Sequence, residues 1–258
     1  IYMSESSANA SSGILWFFII TTLYSIVKYS TGKSASSQKM YLGIYVLLLV
    51  IGEYFINLSL TNSICGTTQF STAGIITLVP WVIIFGLLNL LLMIFPSWLT
   101  PFSNTFGYGA AKLAGVTNLV TKIFLPQNQA PSLKNSGTDK ALAYIYSDRS
   151  LLINEITTEN FDEFWQSMQP LMDRTASQFK TQLYNIIRLK TIVAEYIWYM
   201  LSGILVTSVG YNYLINYGCE TSASQMKERM QKYEKEENEK IKNSENDGGD
   251  SRRIYKSQ

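Results

Sequence analysis

Glu53, Asn89 and Glu195 are the residues of this sequence best placed to do chemistry, because each interrupts a run of apolar side chains long enough to lie in lipid. Ionisable groups at that depth are costly to bury and commonly serve ion or proton transfer. Their positions argue against a shared site. Glu53 is followed by Tyr54 and Asn57 near one end of its run, whereas Glu195 lies little more than a helical turn past Lys190, at the start of another. The two acids are expected at opposite leaflets, as interfacial or hydrogen-bonded structural groups. For Asn89, an interhelical hydrogen bond of ~0.6–2 kcal/mol accounts for the residue without transport. A conduction path using all three is the alternative.

Other chemistry is thinly represented. Histidine is absent, which removes the commonest general base and the commonest zinc ligand together. No glycine-rich phosphate loop, HExxH pair or GxSxG elbow occurs, and catalysis, a metal and a cofactor are not expected. Asp148, Glu155, Asp162 and Glu163 read as solvated faces or helix caps. The two cysteines, Cys65 and Cys219, are not in a CxxC arrangement. They are either a disulfide or a pair of small unpaired apolar residues. A net charge of +2 with acids interspersed among the bases argues against nucleic acid as a partner.

These residues must be positioned by apolar runs at about 12–29, 40–60, 74–95 and 191–217. A span of ~20 apolar residues matches the ~30 Å hydrocarbon core of a bilayer. The chain is therefore expected to be mainly α, a polytopic helical membrane protein with about four transmembrane helices. The first run has no basic segment before it and reads as a span, with an interfacial helix as the alternative. Lysine and arginine set the orientation. Lys28, Lys33 and Lys39 place the first loop inside, and the 61–73 loop, which has neither residue, falls outside. The segment after Phe95 is inside again. Under this topology Cys65 and Cys219 share a side, so they can meet.

Between the third and fourth runs, 96–126 is expected to hold an amphipathic or re-entrant helix, capped by Ser103 or Asn104 and ending before Pro126. Phe106, Leu113, Val120 and Phe124 would form its apolar face. Gly107, Ala111 and Gly115 form a small-residue row suited to close helix packing. The block 127–190 is expected to be a small α+β inner-face outcrop. It would have a hairpin of Ala141–Tyr146 and Leu151–Ile156, a helix over Thr157–Met168, and a long helix from about 171 to 217. The tail, 218–258, is charged; Met226, Met230, Tyr233 and Ile241 share a helical face, and disorder is expected from Asn243 on.

The stretch Trp98–Gly115, WLTPFSNTFGYGAAKLAG, resembles the small multispan proteins in the internal membrane of large icosahedral double-stranded DNA viruses. The likeness covers about residues 74–125 and transfers no functional residue. It implies a structural virion membrane protein that contacts the minor capsid layer and other membrane or capsid proteins, in many copies. That anchoring role is the leading expectation. A channel or transporter subunit and a membrane-bound adaptor or assembly factor working through the tail are the alternatives, as is a cellular organelle membrane for the location.

Overall fold

The computed structural model describes residues 3–31, 35–125, 149–216 and 223–246. The chain divides into one unit up to Asn216 and a second from Tyr217 onward. In the first unit α1 is Met3–Ser30 and α2 is Ala35–Cys65. Phe70–Ile94 forms α3, with a π-helical turn at Pro80–Phe85. That turn accommodates the missing N–H of Pro80 without ending the helix. After a 3₁₀ turn at Pro96–Leu99, α4 runs over 100–113 and α5 is Val116–Ile123. Arg149–Glu155 is α6, Phe161–Met168 is α7, and Lys180–Asn216 is α8, of 37 residues. In the second unit Ala223–Asn246 forms α9.

Four helical stretches, Ser11–Ser30, Ser37–Cys65, Phe70–Ile94 and Ala176–Leu214, are long and apolar enough to cross a membrane. α1 packs on α2 and α8, α2 packs on α3, and the π turn of α3 packs on α8, which closes a four-helix bundle. Its core is aromatic. Tyr24 stacks on Tyr45 at 4.5 Å between ring centres, and Phe85 and Tyr199 pack against Tyr45. Small polar groups join the helices as well: Thr21 Oγ1 and Tyr45 Oη share a hydrogen bond of 3.0 Å, and Asn57 Nδ2 donates to Thr77 Oγ1 at 2.9 Å. The outward faces are apolar, with Leu15, Leu47, Phe55, Val82 and Met93 all exposed.

A second core lies beyond one end of the bundle. Val116, Val120 and Ile123 of α5, Ile153 of α6, and Phe161 and Trp165 of α7 close over Leu183 and Ile187 of α8. Leu125 N donates to Leu171 O at 3.0 Å and Asp173 N to Ile123 O at 2.8 Å, tying α5 to the segment ahead of α8. Asp173 also accepts from the backbone N–H and hydroxyl of Thr175, and these two bonds hold its carboxyl below the ordinary aspartate range. This helical cap replaces the expected α+β outcrop. Residues 151–155, expected as a strand, lie in α6, and the other proposed arm, 141–146, lies outside the described residues. The sequence LLINEI suits either structure; its helical form turns Leu152, Ile153 and Ile156 into the cap core. Among the described residues the β-pairing is a single isolated bridge, Phe124 with Met172.

The expected helix over 103–125 is broken. α4 takes a π turn at Ser103–Gly107, neither Ser103 nor Asn104 caps it, and the chain reverses at Gly115, whose φ is +88°. Of its expected apolar face, Val120 is buried and Phe124 packs against the cap core, but the half on α4 is rotated outward. Leu113 is 92% exposed and Phe106 55%, while Gly107 and Ala111 are buried. Close approach to α8 decides the rotation, since a Cβ on Gly107 would lie 2.5 Å from the backbone oxygen of Lys190. α7 begins at Phe161 rather than Thr157; Thr157 and Asn160 instead form a turn by exchanging backbone-to-side-chain hydrogen bonds of 2.7 and 3.2 Å. The expected long helix from 171 starts at Lys180, after 3₁₀ turns at Gln169–Leu171 and Ala176–Phe179.

Candidate functional site

The polar groups converge where the bundle meets the cap. On α8, Leu183, Ile187, Lys190 and Ala194 fall at helical spacing and all are buried. A lysine in such a stripe needs acceptors for its ammonium. Lys190 Nζ donates to the backbone oxygens of Ile153 at 2.7 Å, Asn154 at 3.3 Å and Ile156 at 3.0 Å. These carbonyls lie at the C-terminal end of α6, where helix carbonyls lack partners and the helix dipole is negative. One side chain therefore fastens the cap to the longest helix.

About one turn further along α8, Glu195 Oε2 lies 2.5 Å from Lys28 Nζ, and each side chain is 18% exposed. Arg188 Nη2 donates to the backbone oxygen of Lys28 at 2.6 Å, and its guanidinium lies over the Tyr29 ring. The C-terminal end of α1 is thus held by a guanidinium from α8 while its last lysine is neutralised by an acid from the same helix. Two residues apart and so on opposite faces of α8, Arg188 and Lys190 each satisfy carbonyls near the end of a different helix.

Next to this junction a cleft of about 450 Å³ opens between the ends of α1, α2 and α3, the 96–104 turn, the α6–α7 link and α8. Among the described residues four charged side chains line it: Lys28, Lys39, Glu159 and Glu195. Leu42, Leu92, Met93 and Leu99 supply apolar wall. Asn104 and Asn154 also line it, and the side-chain oxygen of each is buried without a hydrogen-bond partner among the described residues.

The three sequence candidates do not form a common site. Glu53 is 3% exposed and packs against Gly13, and its Oε1 has no partner among the described residues. Gly13 and Lys28 are 15 residues apart on α1, a rise of about 22 Å, so Glu53 and Glu195 occupy opposite ends of the bundle. Among the described residues Asn89 shows no interhelical bond; its Nδ2 donates to Phe85 O of its own helix at 2.8 Å, and the residue lines the same cleft as Glu195. Of the small-residue row, Gly107 and Ala111 pack closely. Gly115 instead supplies a left-handed turn, with nothing within 4 Å of where a Cβ would stand. Cys65 is disulfide-bonded, and Cys219, the other cysteine of the chain, lies outside the described residues.

Sequence reasoning missed Lys190 as an anchor and Lys28 as the partner of Glu195. The signal for Lys190 was present, since it continues the stripe through Leu183 and Ile187. Lys28 and Glu195 were both placed at the inner ends of their spans but were never considered as a pair. Among the described residues no group of three potential metal ligands occurs. No protein-family model, curated protein or solved structure matches the chain.

Proposed function

We propose that this chain is an integral membrane protein that anchors a protein assembly to a bilayer, and that it performs no catalysis. The observation that carries this is the continuity of α8. Leu183 and Ile187 belong to the cap core, and Tyr199 and Val206 on the same helix belong to the bundle core. A load on the cap is passed directly to the spans. The outer faces of α1, α2 and α3 carry large exposed apolar side chains such as Leu15, Leu47, Phe55 and Val82, and contiguous apolar surface of that kind marks contact with a membrane or a partner. The separation of Glu53 from Asn89 and Glu195 counts against a conduction path.

The resemblance at Trp98–Gly115 extends the proposal to a virion internal membrane, with the cap or tail meeting the minor capsid layer in many copies; an organelle membrane is the other setting. The exposure of Met230, Tyr233 and Ile241 on α9 favours the tail as a docking arm and keeps an adaptor role in view. Cross-linking through lysines in the native membrane tests the proposal. Stoichiometric protein neighbours linked at Lys122 of the cap or at Lys227–Lys242 of α9 are expected. Absence of such neighbours, together with an ion flux in liposomes that Glu53→Gln abolishes, would establish the channel instead.

A further inference from the structure

We propose that the cleft at the ends of α1, α2 and α3 binds one phospholipid whose headgroup carries a primary ammonium beside its phosphate. Its volume of about 450 Å³ falls in the range of ligand sites, ~300–1,000 Å³. Its position suits an amphiphile. Leu42, Leu92 and Met93 come from the ends of apolar spans, and Lys39, Asn104 and Glu159 are among the polar groups of the wall.

The charges select the headgroup. Lys28 and Glu195 neutralise each other. That leaves Lys39, which has no ion-pair partner among the described residues, and Glu159, which accepts one hydrogen bond from Thr158. Among the described residues, a cation and an anion outside any ion pair thus line one cleft and complement a zwitterion, with its phosphate at Lys39 and its ammonium at Glu159. The unpartnered oxygens of Asn104 and Asn154 add a demand for N–H donors. A primary ammonium supplies such donors, a quaternary ammonium has none, and an anionic glycerol headgroup brings no cation to Glu159.

The inference rests on the bilayer reading of the four spans, and the experiment separates the two. The full chain is incorporated into nanodiscs of equal phosphatidylcholine, phosphatidylethanolamine and phosphatidylglycerol, and retained lipids are counted by native mass spectrometry. One phosphatidylethanolamine is expected to be retained with about tenfold preference over either competitor, the gain of one good charge-assisted contact. Lys39→Ala and Glu159→Gln, both exposed positions outside the two cores, are expected to bring that ratio towards one. Retention without preference, an equal or greater preference for phosphatidylglycerol, or a ratio unchanged in both variants would overturn the proposal. Displacement of the lipid by an equal concentration of soluble phosphoethanolamine would assign the site to a free headgroup and overturn it also. Failure of the chain to enter nanodiscs at all would refute the bilayer reading instead.

Discussion

Lys190 shows how a residue that looks unremarkable in sequence can organise two layers of a fold. Its ammonium satisfies three backbone carbonyls of the α6 end at 2.7–3.3 Å. Lys190→Met keeps the apolar stem and removes the donors, leaving those carbonyls buried and unpaired. Replacing both sides of a buried polar contact by apolar groups can be neutral, but removing one side carries the desolvation cost of the other. We expect a loss of about 2–4 kcal/mol, read by thermal or chemical unfolding in detergent, and a cap that becomes protease-sensitive before the spans. Stability equal to the native chain would show that the carbonyls find other partners. The Lys28–Glu195 pair is shielded on both sides, so a double-mutant cycle with Lys28→Met and Glu195→Gln should give a coupling above the ~0.2–1 kcal/mol of a fully exposed pair. A coupling of zero would make it a crowding of opposite charges without structural weight.

At the level of helices, the spans were legible and the cap was not, for physical reasons that particular residues show. Long uncharged runs such as Gly74–Phe95 allow little besides a membrane-length helix, and the structure places α3 at Phe70–Ile94. Short apolar runs have no such constraint. LLINEI fits a strand or a helix until the core around it is known, and the partner of its last carbonyls is Lys190, which is far away in sequence. On α4 the small row of Gly107 and Ala111 was legible as a close-packing face, whereas Phe106 and Leu113, expected to be apolar contacts, turn outward because the backbone of α8 lies against the small side. The same logic holds for Gly203 on α8, where a Cβ would overlap the ring of Phe17 on α1. Gly203→Ala should destabilise the bundle by about 1–3 kcal/mol, and pairing it with Phe17→Leu should recover part of that loss. Additive losses in the unfolding curves would show that the two positions do not meet. Cys65 closes the other end of α2, and non-reducing mass mapping is expected to return it linked to Cys219, the remaining cysteine of the chain. Free thiols at both would end that assignment.

At the scale of the whole molecule, four helices are long and apolar enough to cross a bilayer, and we propose that they do so with the cap and the α1–α2 connection on one face and the α2–α3 connection on the other. The charge distribution along the chain supports it, since Lys28, Lys33 and Lys39 flank the first connection whereas 61–73 holds neither lysine nor arginine. The aromatic side chains of Phe95, Trp98 and Phe106, all exposed near the end of α3, suit anchoring at the lipid–water boundary. Single cysteines introduced by Ser37→Cys, Ser63→Cys and Arg174→Cys, each in a background with Cys65→Ser and Cys219→Ser, test the arrangement directly. An impermeant maleimide added to sealed, carbonate-washed vesicles should label positions 37 and 174 from one face and position 63 only from the other. Labelling of all three from the same face, or loss of the protein in the carbonate wash, would contradict the account.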